Sequence, residues 1–288
     1  MESMLNDDSI LYHYCSVDAF VNILKTHSIW LTHAREMNDF REDILFRKPL
    51  KTALQSFENR SEPEIQLLQH IVDEYTSRVD FPYVACFSRD KDMLSQWRAY
   101  ADNGKGVAIG VKLGELPHFD LLMQKHGECI SKPVIIDEVS YNQEDDEAEF
   151  MKNILSACLI NYQKVKNEAE VIRQGIIALN RLSIFAKGKG FEEEHEVRLV
   201  YQPCYRNLLA NLNCETPKGH DHDDIEFRVR DGSILSYFTY QLPKESIHSV
   251  ILGPKCTVDF AQLTLFLNRY APHVRINNEI HHSKITYR

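Results

Sequence analysis

Residues 191–201 read F-E-E-E-H-E-V-R-L-V-Y, with four glutamates in five positions running directly into an apolar strand. A strand turns successive side chains to opposite faces, so Glu194, Glu196 and Arg198 are expected on one face and His195, Val197 and Leu199 on the other. Carboxylates two residues apart on one face repel each other, so a purely structural strand rarely carries them. One reading is a solvated edge whose charges discourage pairing with another sheet. The other is a Glu-x-Glu pair presented at a cleft, with Arg198 as its charge partner and the K-G-K-G stretch (187–190) as a flexible approach.

The rest of the chain supplies alternating elements for such a strand to join. L-Y-H-Y-C (11–15) reads as an aromatic-rich strand ending at Ser16, a helix N-cap, after which Ala19, Phe20, Ile23 and Leu24 recur at helical spacing. I-W-L-T (29–32) is a second strand, followed by a polar segment with a turn at Asn38-Asp39 and a charged helical region to about Arg78. P-Y-V-A-C-F-S (82–88) and G-V-A-I-G-V (106–111) are strands on either side of a short helix on which Met93, Trp97 and Tyr100 share a face. Another strand is expected over 134–141. Two amphipathic helices, within about 144–186, then form a helical insertion before the Glu-rich strand. Strands near 225–230, 234–240, 249–252, 274–277 and 284–287, with a helix near 258–270, complete the chain. No repeat, heptad or linker divides these elements, which predicts one α+β domain over residues 1–288.

With 288 residues, 43% of them hydrophobic and 26% charged, the chain can bury a substantial core. Its net charge of −9 argues against a broad nucleic-acid-binding surface. The seven cysteines are scattered among apolar neighbours without a C-x-x-C pair, as reduced core residues would be. No basic-then-apolar leader and no run of the ~18 apolar residues needed to span a bilayer are visible, so a cytoplasmic protein without membrane contact is expected.

Dinucleotide, phosphate-loop, serine-hydrolase and H-E-x-x-H motifs are absent. His220 and His222 lie in a hydrophilic loop, a poor support for metal ligands, and His281-His282 is a bare pair, so no metal site is assigned. A lone strand histidine such as His13 is ordinarily a satisfied core or edge residue. Ser88 reads equally as a turn cap, and Trp97 and Tyr100 as the core face of a helix.

Taken together, Y-H-Y-C-S, I-W-L-T, A-C-F-S-R-D, M-L-S-Q-W-R-A-Y-A-D-N-G-K-G-V-A-I-G, K-G-K-G-F-E-E-E-H-E-V-R-L-V, I-L-G-P and H-S-K-I-T-Y-R resemble the bacterial family catalogued as domain of unknown function 2971. The W-x-x-Y-A-D-x-x-x-G-V and F-x-x-E-x-E-x-R-L motifs are the most specific parts of that resemblance. Met37-Asn38-Asp39-Phe40 departs from the family's proline-containing N-D-P-F-E. The order of elements also looks like the ADP-ribosyltransferase fold, a split mixed β-sheet core with flanking helices.

That second resemblance implies a dispersed triad around NAD, with His13 in the first position, Ser88 in the second and Glu196, preceded by Glu194, in the third. Glu196 would then stabilise the oxocarbenium-like charge that develops as the nicotinamide–ribose bond breaks. Glu194 would orient or deprotonate an acceptor, protein or nucleic acid. His13 would hold a ribose hydroxyl, Tyr14, Trp97 or Tyr100 would flank the nicotinamide, and Arg98 or Arg198 would meet the diphosphate. The implied function is NAD binding with transfer or hydrolysis of ADP-ribose. The alternative is a catalytically silent module that binds a nucleotide or nucleic-acid end in a bacterial stress or phage-defence system.

Overall fold

The computed structural model describes residues 5–36, 42–77, 82–117, 134–142, 144–202, 224–274 and 279–287. The Asn38-Asp39 turn, the His220/His222 loop and residues 275–277 of the strand expected over 274–277 lie outside the described residues. The chain is α+β with a mixed sheet, and its contacts separate it into two compact units. Unit 1 comprises residues 1–34, 82–138 and 193–288, and unit 2 comprises residues 35–81 and 139–192.

In unit 1, β1 (Ile10–Cys15) feeds α1 (Val17–Thr26) through Ser16, whose side chain accepts a hydrogen bond from the Ala19 amide. His27 ends that helix in the left-handed conformation, φ 48°, and β2 (Ser28–His33) follows. The other strands are β3 (Tyr83–Ser88), β4 (Val107–Lys112), β5 (Val134–Glu138), β8 (Glu196–Tyr201), β9 (Ile225–Arg230), β10 (Ser233–Gln241), β11 (Ile247–Leu252) and β12 (Ile280–His282). The short helix α4 (Leu94–Tyr100) precedes β4, and α7 (Phe260–Tyr270) follows β11. Residues 284–287, expected as a strand, are not one; the final strand sits four residues earlier, pairing in parallel with β11. Pairing is otherwise antiparallel within this sheet, in the order β12-β11-β4-β1-β3-β2-β10-β9.

The sheet forks at β3. One edge of β3 pairs with β2 at Val84 and Tyr83 and with β1 at Ser88, while its other edge pairs along its full length with β8, which in turn pairs with β5. Strand alternation sorts the side chains cleanly. Leu11, Cys15, Phe87, Ile109, Val197, Leu199 and Val250 belong to the main core, which also takes Phe20, Ile23 and Leu24 from α1 and Leu263 and Leu267 from α7. Tyr14, Ala108 and Ile251 face the other way and pack with Trp97 and Ala101.

Unit 2 has its own core. Helices α2 (Glu42–Gln55), α3 (Glu62–Ser77), α5 (Glu144–Val165) and α6 (Glu168–Ile184) bury Leu50, Leu68, Ile71, Met151, Leu155, Val171 and Leu179 together. Gly175 lets α6 approach closely, since a Cβ there would lie 3.0 Å from both Cys158 Sγ and Ile71 Cγ2. The stretch expected as one strand over 134–141 is divided: β5 belongs to unit 1, whereas β6 (Ser140–Asn142) pairs in parallel with β7 (Ala186–Gly188) in unit 2. Among the described residues no helix is long and apolar enough to cross a membrane.

The W-x-x-Y-A-D-x-x-x-G and I-L-G-P segments meet backbone to backbone. The Gly253 amide donates to the Gly106 carbonyl at 3.0 Å and the Lys255 amide to the Gly104 carbonyl at 2.9 Å. A Cβ on Gly106 would lie 2.1 Å from the Cys15 carbonyl oxygen, a backbone atom that cannot step aside. Gly106→Ala is therefore expected to destabilise unit 1 by about 1–3 kcal/mol, measured as a lower midpoint in urea unfolding.

Candidate functional site

The polar residues singled out in the sequence gather where β3 ends and β8 begins. Ser88 is buried; its hydroxyl donates to the Glu194 carbonyl at 2.8 Å and accepts from the Asp90 amide at 3.1 Å. The Arg89 amide donates to the His195 carbonyl at 3.1 Å, so the two chain segments are stitched together by their backbones. Glu194 ends a 3-10 turn (Lys189–Glu194) and the strand starts only at Glu196, because His195 takes a left-handed backbone conformation, φ 41°. Such a conformation is strained for a non-glycine residue. Regular alternation therefore begins at Glu196, and Glu194 is presented by the turn before it; both side chains are buried.

Glu196 is buried and lies against Arg198, with Arg198 Nε donating to Oε1 at 2.8 Å and Nη2 approaching Oε2 at 3.4 Å. Both side chains are about 95% shielded from solvent, so each charge needs the other. Arg198, expected to meet a diphosphate, is thus engaged with Glu196. Glu194 instead points its carboxylate toward Tyr100, whose hydroxyl lies 3.4 Å from Oε1. Tyr100 is partly exposed and Arg98 is exposed on the same short helix.

His13 is not part of this grouping. It sits on the main-core face of β1, its ring 5.5 Å from that of Phe87, whereas Ser88, Tyr12 and Glu196 share the opposite face. Its Nδ1 donates to the Cys86 carbonyl at 2.9 Å, at the fork where β1 leaves β3. Burial lowers the His13 pKa, with the hydrogen bond to Cys86 opposing, so the ring is held neutral with its proton on Nδ1. The expected convergence of His13 with Ser88 and Glu196 is met by their strands, which are neighbours, and not by the side chain.

Trp97, expected beside a nicotinamide, is fully buried and packs edge-on against Tyr14 at 4.7 Å. Its Nε1 donates to Asp92 Oδ1 at 2.7 Å. Tyr14 in turn donates its hydroxyl hydrogen to the Asp90 carbonyl at 2.7 Å and accepts from the Met93 amide at 3.1 Å; burial raises its pKa well beyond the usual range.

Two aspartates and a histidine carry more of this region than the sequence suggested. Asp92 also accepts from the Ser283 hydroxyl at 2.6 Å and the Lys284 amide at 2.8 Å, tying down the H-S-K-I-T-Y-R segment. Asp90 Oδ2 meets His195 Nδ1 at 2.5 Å, both side chains about 40% exposed, which orients the imidazole with Nε2 directed away from the carboxylate. The only sequence signal for these roles was the R-D-K-D run after β3, which reads as a strand boundary. Among the described residues no cluster of three or more histidine, cysteine, aspartate or glutamate side chains could hold a metal ion; His281 and His282 lie exposed on β12.

Two predictions separate structural from functional roles here. Trp97→Ala is expected to cost about 3–5 kcal/mol, seen as a large fall in apo melting temperature. For His13 the folded pKa is depressed, so the unfolded chain takes up the proton first. Its contribution is fully present above the ordinary value of 6.5 and is lost as pH falls below it. His13→Gln should flatten this acid limb when unfolding free energy is measured from pH 8 to pH 5 and compared with wild type.

A search of the curated proteins and of the solved structures finds no match. Residues 96–199, running from Gln96 on α4 through the 3-10 turn to Leu199 on β8 and so including Trp97, Tyr100, Glu194, Glu196 and Arg198, match the model of the family described as Protein of unknown function (DUF2971).

Proposed function

We propose that unit 1 binds NAD or a related nucleotide and acts on its nicotinamide–ribose bond, with Glu194 rather than Glu196 as the working carboxylate. The observation that carries this reading is the contact of Glu194 with Tyr100: its carboxylate lies 3.4 Å from the hydroxyl of that partly exposed residue, whereas Glu196 lies against the buried Arg198 at the same junction. In the reaction, the C1′–N bond breaks with its electron pair passing to the pyridinium nitrogen, which releases neutral nicotinamide. The oxocarbenium-like charge left on the ribose is stabilised by the Glu194 carboxylate, which also takes the proton from the attacking water or acceptor. Tyr100 offers an aromatic face and a hydroxyl, and Arg98 on the same helix offers an exposed cation for the diphosphate. The support for the nucleotide itself is the resemblance of element order together with the forked sheet.

A second reading is a silent nucleotide- or nucleic-acid-end-binding module. It is favoured by the way three of the candidate polar groups are spent: His13 and Ser88 on backbone carbonyls, and Arg198 on Glu196.

One pair of variants decides between them. Nicotinamide release by the purified protein is followed by chromatography, and NAD or ADP-ribose binding by the shift in melting temperature. Glu194→Gln should lower turnover by about 10²–10⁴-fold while binding stays near wild type. Glu196→Gln leaves Arg198 buried without its counter-charge and should reduce stability by about 3 kcal/mol. Binding without nicotinamide release by the wild-type protein supports the silent module. Absence of both binding and release removes the nucleotide reading.

A further inference from the structure

At the end of the sheet, β9 and β10 form a hairpin closed by the two-residue turn Asp231-Gly232, both in the left-handed region at φ 50° and 79°. Three large apolar side chains stand in solvent on one face of it: Phe227 is 68% exposed, Val229 75% and Ile234 76%. Val229 lies directly opposite Ile234 in the register. The outer edge of β9 pairs with no strand among the described residues. A long apolar edge of this kind is a template for another strand.

We propose that this edge joins a second copy of the same chain, with β9 running antiparallel to its symmetry mate about a twofold axis through Phe227. The argument is the charge pattern of D-I-E-F-R-V-R (224–230). In a two-stranded antiparallel pair, directly opposed residues share a face, so registers centred on a residue keep apolar side chains opposite apolar ones. Centring on Phe227 opposes Phe227 to itself, Ile225 to Val229, Glu226 to Arg228 and Asp224 to Arg230. Every charged pair is then of opposite sign. Centring on Glu226 or Arg228 sets that residue against its own copy. Centring on Ile225 opposes Asp224 to Glu226, and centring on Val229 opposes Arg228 to Arg230. Registers shifted by half a step set apolar residues against charged ones. The strand is therefore self-complementary in one alignment, as an isologous interface requires.

Glu226 accepts hydrogen bonds from Tyr237 and Thr239 on the neighbouring strand, and the Arg228 guanidinium lies over Trp30 and Tyr237. Both charged groups thus lie on one face and lean toward β10, while the apolar row of Ile225, Phe227 and Val229 lies on the other, so the exposed Arg230 opposite Asp224 is the charge pair that the test addresses.

The test is the mass of the full chain by light scattering at micromolar concentration, backed by sedimentation equilibrium. The wild-type protein should run as a dimer of the 33.5 kDa chain. Phe227→Lys opposes two lysines across the axis and should weaken association at least tenfold, as should Arg230→Glu, which faces Asp224. Both positions are well exposed, so circular dichroism and melting temperature should remain at wild-type values. Adding Asp224→Lys to Arg230→Glu restores opposite signs and should bring the dimer back. A monomer at all concentrations overturns the proposal, and so does a dimer that survives either single substitution. Failure of the double variant to recover the dimer rejects the Phe227-centred register.

Discussion

The fork at β3 is the constraint on which the rest of unit 1 depends. One edge of a six-residue strand is shared between β1 and β2, so the two must part company between Ser88 and Val84. A buried acceptor left unsatisfied costs about 1–3 kcal/mol, and at the fork His13 donates to the Cys86 carbonyl at 2.9 Å. The histidine expected to hold a ribose hydroxyl is thereby a structural donor, held neutral by the core around it. The fork also fixes which side chains share a face, since β3 sets the phase for both β1 and β8.

The same economy governs the junction beside the fork. Ser88, Tyr14, Asp92 and Trp97 each spend their polar atoms on loops that would otherwise lie loose: 90–93 against β1, and 283–284 against α4. What remains partly exposed at the junction is a small set, Tyr100 and the Asp90–His195 pair, with the buried Glu194 carboxylate behind the Tyr100 hydroxyl and a backbone turn strained at His195. Strain of this kind persists only where neighbours over-determine it, and here the Ser88 and Arg89 hydrogen bonds to residues 194 and 195 do so.

Much of the fold could be read from the residues because local pattern and tertiary role agree. The Ser16 cap, the period of Phe20, Ile23 and Leu24, and the apolar runs of β3, β4 and β11 all form where expected. The start of the Glu-rich strand was not legible for a specific reason: alternation presumes an unbroken strand, and nothing in E-E-E-H-E announces a left-handed residue at His195 that delays the strand to Glu196. The partners of Trp97 were equally hidden. Its helical stripe correctly suggests burial, but Asp92 and Ser283, which fix that burial, are far apart in the chain. The division of 134–141 between two units escaped notice because an apolar run carries no mark of where its pairing partner changes.

Unit 1 is assembled from three stretches of chain separated by the two stretches that make unit 2, and this has a consequence for how the protein is made. As the chain leaves the ribosome, β1 and β3 emerge early, yet β3 cannot complete its second edge until β8 is available, and β4 waits still longer for β11. Contacts this distant in sequence close late and slowly. β1, β2, β3 and β4 can pair among themselves early, but one edge each of β3 and β4 stays open until β8 and β11 emerge, while α2 and α3 in turn wait for α5 and α6. Open strand edges in a partly made sheet are the places where such a chain is exposed to aggregation, so overexpression at high temperature would favour association of the incomplete sheet.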